Sequence, residues 1–103
     1  MTGSASKEES AGLDPVAAVI LETLNALPAD KSIGLMDAAR AVAEERRKPG
    51  DGAELWRRYM RAVRQQAIHL ARQGRIEIIR KGAPVDPNDV KGVVRLRLKS
   101  AAG

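Results

Sequence analysis

Apolar residues recur along this chain with two periods, and the change from one to the other divides it. Leu13, Val16, Ile20, Leu24 and Leu27 stand three or four positions apart and fall on one face of a helix. Asp14-Pro15 opens that helix, with Asp as the N-cap and Pro at the first helical position, and Pro28 stops it. A second helix is predicted from Leu35 or Met36 to Glu45, burying Leu35, Ala38, Ala39 and Val42 and ended by the breaker pair Pro49-Gly50. Residues 56–73 read as one long third helix. At about 100° per residue, Trp56, Tyr59, Met60, Val63, Ala67, Leu70 and Ala71 share a single broad sector. Asp51-Gly52-Ala53-Glu54 reads as a capping box opening this helix, and Gly74 as its left-handed C′ residue.

After Gly74 the period becomes two. Ile76, Ile78 and Arg80 alternate with Glu77, Ile79 and Lys81, which predicts a strand. Val94, Leu96 and Leu98 alternate with Arg95, Arg97 and Lys99, a second strand with one apolar and one basic face. The glycine-bounded segment 82–92 between them carries Asp86-Pro87-Asn88-Asp89, a type I turn. Ser32-Ile33-Gly34 permits a further short strand. The expected fold is mainly α with a small antiparallel β-hairpin (α+β): a winged helix-turn-helix of three helices plus a wing, spanning residues 15–99. Residues 1–14 are small, polar and aperiodic, a disordered tail, and residues 100–103 a disordered end.

Charge sharpens this outline. The chain has 103 residues and a formal net charge of +5. Residues 57–103 hold twelve basic residues against Glu77, Asp86 and Asp89, a net +9, whereas residues 1–14 and 15–56 are each at −2. An anionic partner would therefore feel the C-terminal half. Cysteine is absent, which excludes disulfides, thiol nucleophiles and cysteine-based zinc sites. With no signal-like start and no apolar run long enough to span a bilayer, a soluble cytoplasmic protein without a membrane partner is the expectation.

Trp56, Met60, Val63-Arg64, Ala67, Leu70-Ala71, Gly74, Ile76, Gly82, Val85-Asp86-Pro87, Gly92 and Arg95-Leu96-Arg97 stand in an order and spacing that resembles a small bacterial family, the domain of unknown function 3253 family. The resemblance covers residues 16–99. It implies a winged-helix fold and supplies no activity, ligand or catalytic residue. Two positions depart from the family pattern. Leu35-Met36-Asp37 stands where members often open the second helix with Ser or Pro, and Gly92-Val93 stands where they often read Gly-Pro.

The candidate chemistry lies on the third helix. Arg57, Arg61, Arg64, Gln65 and Arg72 fall in the sector adjoining the apolar one, with Arg58 at its edge and Ile68 in its middle. Such a face suits the DNA major groove, where Arg binds guanine O6 and N7 and Gln reads adenine. Arg57, Arg58, Arg61 and Gln65 are the candidate base contacts, and Arg72, Lys81 and Lys91 the candidate phosphate contacts. Other readings of the same residues stay open. Arg64 is placed to pair with an acidic residue of the second helix, and Ile68 to pack on the wing or on a protein partner. Arg46, Arg47 and Lys48 would touch phosphate or cap the second helix. Arg95, Arg97 and Lys99 would be solvated, and Asp86 and Asp89 would repel phosphate. Trp56 and Tyr59 read as core anchors rather than base-stacking platforms.

His69 is the only histidine and has no second ligand beside it, and no nucleophile or phosphate-cradling motif occurs. The expected role is non-enzymatic, with no cofactor and no metal. Double-stranded DNA is the leading partner and a protein partner the alternative; a dimer through the third helix is a third reading, and the sequence does not fix the oligomeric state.

Overall fold

The structure is a computed structural model that describes residues 14–28 and 30–99. Of the tail expected for residues 1–14, residues 1–13 lie outside the described residues, as does the end expected for residues 100–103. Helix α1 (Pro15–Asn25) begins as its sequence requires: the Asp14 carboxylate accepts the Val16 amide at 2.7 Å and Pro15 takes the first position. Strand β1 (Ser32–Gly34) leads directly into α2 (Leu35–Arg46). Asp37 Oδ2 accepts the Gly34 amide at 3.0 Å, so an acidic third residue does the work that a Ser or Pro at the helix start would otherwise share.

The long third helix is divided in two. Residues Leu55–Tyr59 form a 3₁₀ segment, and α3 proper runs over Met60–Arg72. The capping box expected from Asp51 and Glu54 does not form. Pro49 and Gly50 occupy the centre of a turn closed by Asp51 N–H to Lys48 C=O at 3.0 Å, with Gly50 at φ 95°, the conformation that type II turns reserve for glycine. That turn brings the Asp51 carboxylate onto the Lys48 amide at 2.7 Å, so it is spent on the loop and not on the helix. Glu54 pairs instead with Arg57, at 3.5 Å. At its other end α3 closes as the sequence predicts. Gly74, at φ 76°, donates to Ala71 C=O and Arg75 donates to Leu70 C=O, both at 3.0 Å, which is a Schellman cap.

The sheet is larger than the expected hairpin. Strands β2 (Ile76–Arg80), β3 (Ala83–Pro84) and β4 (Arg95–Leu98) join β1 in one antiparallel sheet of order β1-β4-β2-β3. The extra strand exists because Lys81-Gly82 is a two-residue hairpin turn with φ 54° and 82°, a type I′ geometry that returns the chain along β2. Ile33, Leu96 and Ile78 stand in register across β1, β4 and β2 and form one buried row. Onto it pack Ile20 and Leu24 of α1, Ala38, Ala39 and Val42 of α2, and Val63, Ala67 and Leu70 of α3. The 3₁₀ segment adds Leu55, buried although it lay outside the expected apolar sector.

Two of the basic residues on the outer face of the sheet also fasten its strands, while Arg95 and Lys99 are exposed as expected. Arg97 donates through Nε and Nη2 to Glu77 Oε1 at 3.2 and 2.7 Å, which ties β4 to β2. Arg95 reaches Ser32 Oγ at 2.8 Å and the Ser32 carbonyl at 2.9 Å, which ties β4 to β1. None of the helices among the described residues is long and apolar enough to cross a membrane.

Candidate functional site

Helix α3 turns one face to the core and the opposite face to solvent. Val63, Ala67 and Leu70 are buried; Arg61 and Gln65 are exposed, one turn apart. Two more α3 arginines are engaged by the loop of residues 81–94. Arg64 Nη2 donates to the Val90 carbonyl at 2.9 Å, and Arg72 Nε donates to Asn88 Oδ1 at 2.9 Å. Arg64 thus binds the loop backbone, not the acidic residue of α2 expected as its alternative partner. The loop is prepared for this by the turn read from the sequence. Asp89 N–H meets Asp86 C=O at 2.9 Å, and Asp86 Oδ1 accepts the Asn88 amide at 2.8 Å, which fixes Asn88 in front of Arg72.

The change from 3₁₀ to α winding separates Arg57 from the other predicted base contacts. A 3₁₀ segment advances about 120° per residue against about 100° in an α-helix, so Arg57 does not continue the stripe of Arg61 and Gln65, whereas Arg58, three residues before Arg61, stays near it in angle. Arg57 lies with its guanidinium carbon 5.5 Å from the Trp56 ring centroid, and Arg40 of α2 approaches the same ring at 5.5 Å. Arg58 lines a cavity of about 480 Å³ together with Arg46, Lys48, Asp51, Leu55 and Tyr59. Gln65 and Arg72 share a different groove of about 530 Å³, between the start of α1 and the second half of α3, with Asp14, Ile68 and His69 on its walls.

The remaining predicted contacts are dispersed. Lys81 sits on the type I′ turn and lines a third hollow, on the outer sheet face, with Asp30 and Arg95. Lys91 lies 3.5 Å from Asp89. All seven predicted residues are exposed; Gln65 and Arg72 share one groove, while Arg57 and Arg58 belong to the 3₁₀ segment before α3. Ile68 is half-buried and packed against the core cluster, and the exposed large apolar side chains among the described residues are Met36 and Val93. Trp56 and Tyr59 are likewise half-buried against the core, as anchors.

Two features of this surface were hidden in the sequence. The approach of Arg40 to Trp56 joins residues from different helices, and no local spacing announces it. The meeting of Arg46 and Lys48 with Arg58 depends on the turn at Pro49-Gly50, whose breaker pair was visible but whose direction was not. Among the described residues, no cluster of three or more His, Cys, Asp or Glu side chains is placed to hold a metal ion.

The sequence matches the family described as "Protein of unknown function (DUF3253)" over residues 14–99. No curated protein matches the chain.

Proposed function

We propose a role for this chain, which belongs to the DUF3253 family of proteins of unknown function, from its own surface: a non-catalytic cytoplasmic winged-helix protein that binds double-stranded DNA. The helices α2 and α3 are the helix pair of the motif, α3 is the reading helix, and residues 81–94 are the wing. The observation that carries this reading is the outer stripe of α3. Among the described residues, Arg61 and Gln65 make no hydrogen bond or ion pair within the chain, and both are solvent-facing on the half of the molecule that holds a net +9. A guanidinium and an amide one turn apart match the acceptor and donor edges that base pairs present in the major groove. Arg57, two-thirds exposed and held beside Trp56, adds a backbone contact from the 3₁₀ segment that precedes α3.

Arg72 and Arg64 have a different task under this reading. They hold the wing against the reading helix, so the two move onto the duplex as one surface. Anisotropy of a labelled mixed-sequence duplex at low salt tests the proposal. Native protein binds, and Arg57→Glu with Arg61→Glu removes binding without moving the thermal unfolding midpoint. Absence of any binding by native protein refutes it. A protein-docking role for the same scaffold draws less support, because Ile68 is largely occupied by the core and only Val93, 90% exposed, stands fully free. Under that role Ile68→Asp breaks a partner complex and leaves DNA affinity unchanged.

A further inference from the structure

We infer that Arg46, Lys48 and Arg58 form a phosphate-binding station beside α3. They come from three segments: the last residue of α2, the turn that follows, and the 3₁₀ segment. They line one cavity of about 480 Å³ with Asp51, Leu55 and Tyr59. Their neighbours are already satisfied. Arg47 holds Glu44 at 3.2 Å and the Gly52 carbonyl at 3.0 Å, and Arg57 holds Glu54 at 3.5 Å. Among the described residues the side chains of Arg46, Lys48 and Arg58 make no hydrogen bond or ion pair. The single carboxylate on the cavity wall, Asp51, accepts the Lys48 amide at 2.7 Å.

Three cationic residues against one carboxylate leave the lining of this cavity at a net +2, a charge that favours an anion there. The helix dipole accounts for one of them, since Arg46 closes the last turn of α2; it does not account for Lys48 or Arg58, which lie beyond that helix. The turn is also rigid in advance. Proline at its second position, glycine at its third and two hydrogen bonds between Asp51 and the Lys48 main chain fix the backbone that carries Lys48, which lowers the backbone part of the ordering cost of binding. The chemistry that fits is a phosphate group: several oxygens, charge of one sign, and donors approaching from more than one side.

A phosphate of this kind comes from the backbone of a duplex or from a free phosphate compound. Naming the duplex as occupant rests on the reading given under Proposed function, and two titrations separate the sources. In the first, duplex affinity is measured against salt for native protein and for Arg46→Gln/Lys48→Gln/Arg58→Gln, with the thermal midpoint as the control for folding. The variant loses affinity by about three- to tenfold, equally for two unrelated duplexes, and its salt slope falls by about one. In the second, amide NMR shifts are followed on adding inorganic pyrophosphate alone, and residues 46–59 respond.

If native protein binds duplex and the variant has the same affinity and slope, the station is overturned while the α3 reading stands. If native protein ignores duplex but pyrophosphate shifts residues 46–59, the station is supported with a free phosphate compound as its occupant, and the α3 reading falls. Failure of both titrations overturns both.

Discussion

Lys81 occupies a left-handed conformation at φ 54° that the peptide backbone ordinarily grants to glycine, asparagine or aspartate. Its Cβ raises the energy of the turn, and Gly82 beside it, at φ 82°, carries the rest of the reversal without that cost. Lys81→Asn is therefore expected to stabilise the protein, by about 0.5–1 kcal/mol, because Asn tolerates αL and Lys does not. Urea unfolding with an unchanged m-value checks it; a lower midpoint contradicts it. Asp14→Ala acts in the other direction. It removes the acceptor for the Val16 amide and should cost about 1 kcal/mol. The sequence displayed Asp14 plainly, because a cap is a local device two residues long. It did not display that Asp51 would serve a turn instead of a helix, because both uses are local and equally well formed on paper.

At the scale of elements, the third helix and the 81–94 loop work as a unit. The hydrogen bonds from Arg64 to Val90 and from Arg72 to Asn88 are the polar ties between them, and both use a charged donor. Arg64→Met keeps the stem and removes the tie. The expected result is faster amide hydrogen exchange confined to residues 85–92, with the slowest-exchanging core amides unchanged. Exchange at native rates in that loop would show that Asn88 and the turn hold it unaided. The periodicity of the three helical runs was legible in their buried positions. The apolar positions of α1, α2 and α3 that the sequence selected include Val16, Ile20, Leu24, Ala38, Ala39, Val42, Val63, Ala67 and Leu70, all buried. The 3₁₀ start of the third helix was not legible, because an i+3 and an i+4 spacing of apolar residues look alike over one turn. That single change of winding is what removes Arg57 from the stripe of Arg61 and Gln65.

Among the described residues, three helices pack on a four-stranded sheet. The row Ile33–Leu96–Ile78 joins three strands to the helices, so Leu96→Ala should cost about 2–5 kcal/mol. A domain of this size has about 5–10 kcal/mol in total, so the variant should unfold cooperatively at a much lower urea concentration. A small shift there would mean the row is not the centre of the core. Binding of the proposed duplex partner belongs to this scale as well, since it sums charges from several elements. Its affinity should fall linearly with salt on a log–log plot, with a slope of about −0.9 per phosphate neutralised. A salt-independent affinity would point to apolar contact instead.

Period and net charge are properties of neighbours along the chain, and the sequence alone determined the three helical runs, the Asp14 cap, the C-cap glycine at position 74, the turn at residues 86–89 and the basic C-terminal half. Pairing across the chain is decided by whichever distant groups the folded core brings within reach. The tertiary structure alone therefore set the four-stranded order, the arginine ties between β4 and its neighbours, the capture of Arg64 and Arg72 by the loop, and the meeting of Arg46, Lys48 and Arg58. A guanidinium reaches several ångströms in any direction, so its position in sequence says that it is charged and not whom it will meet.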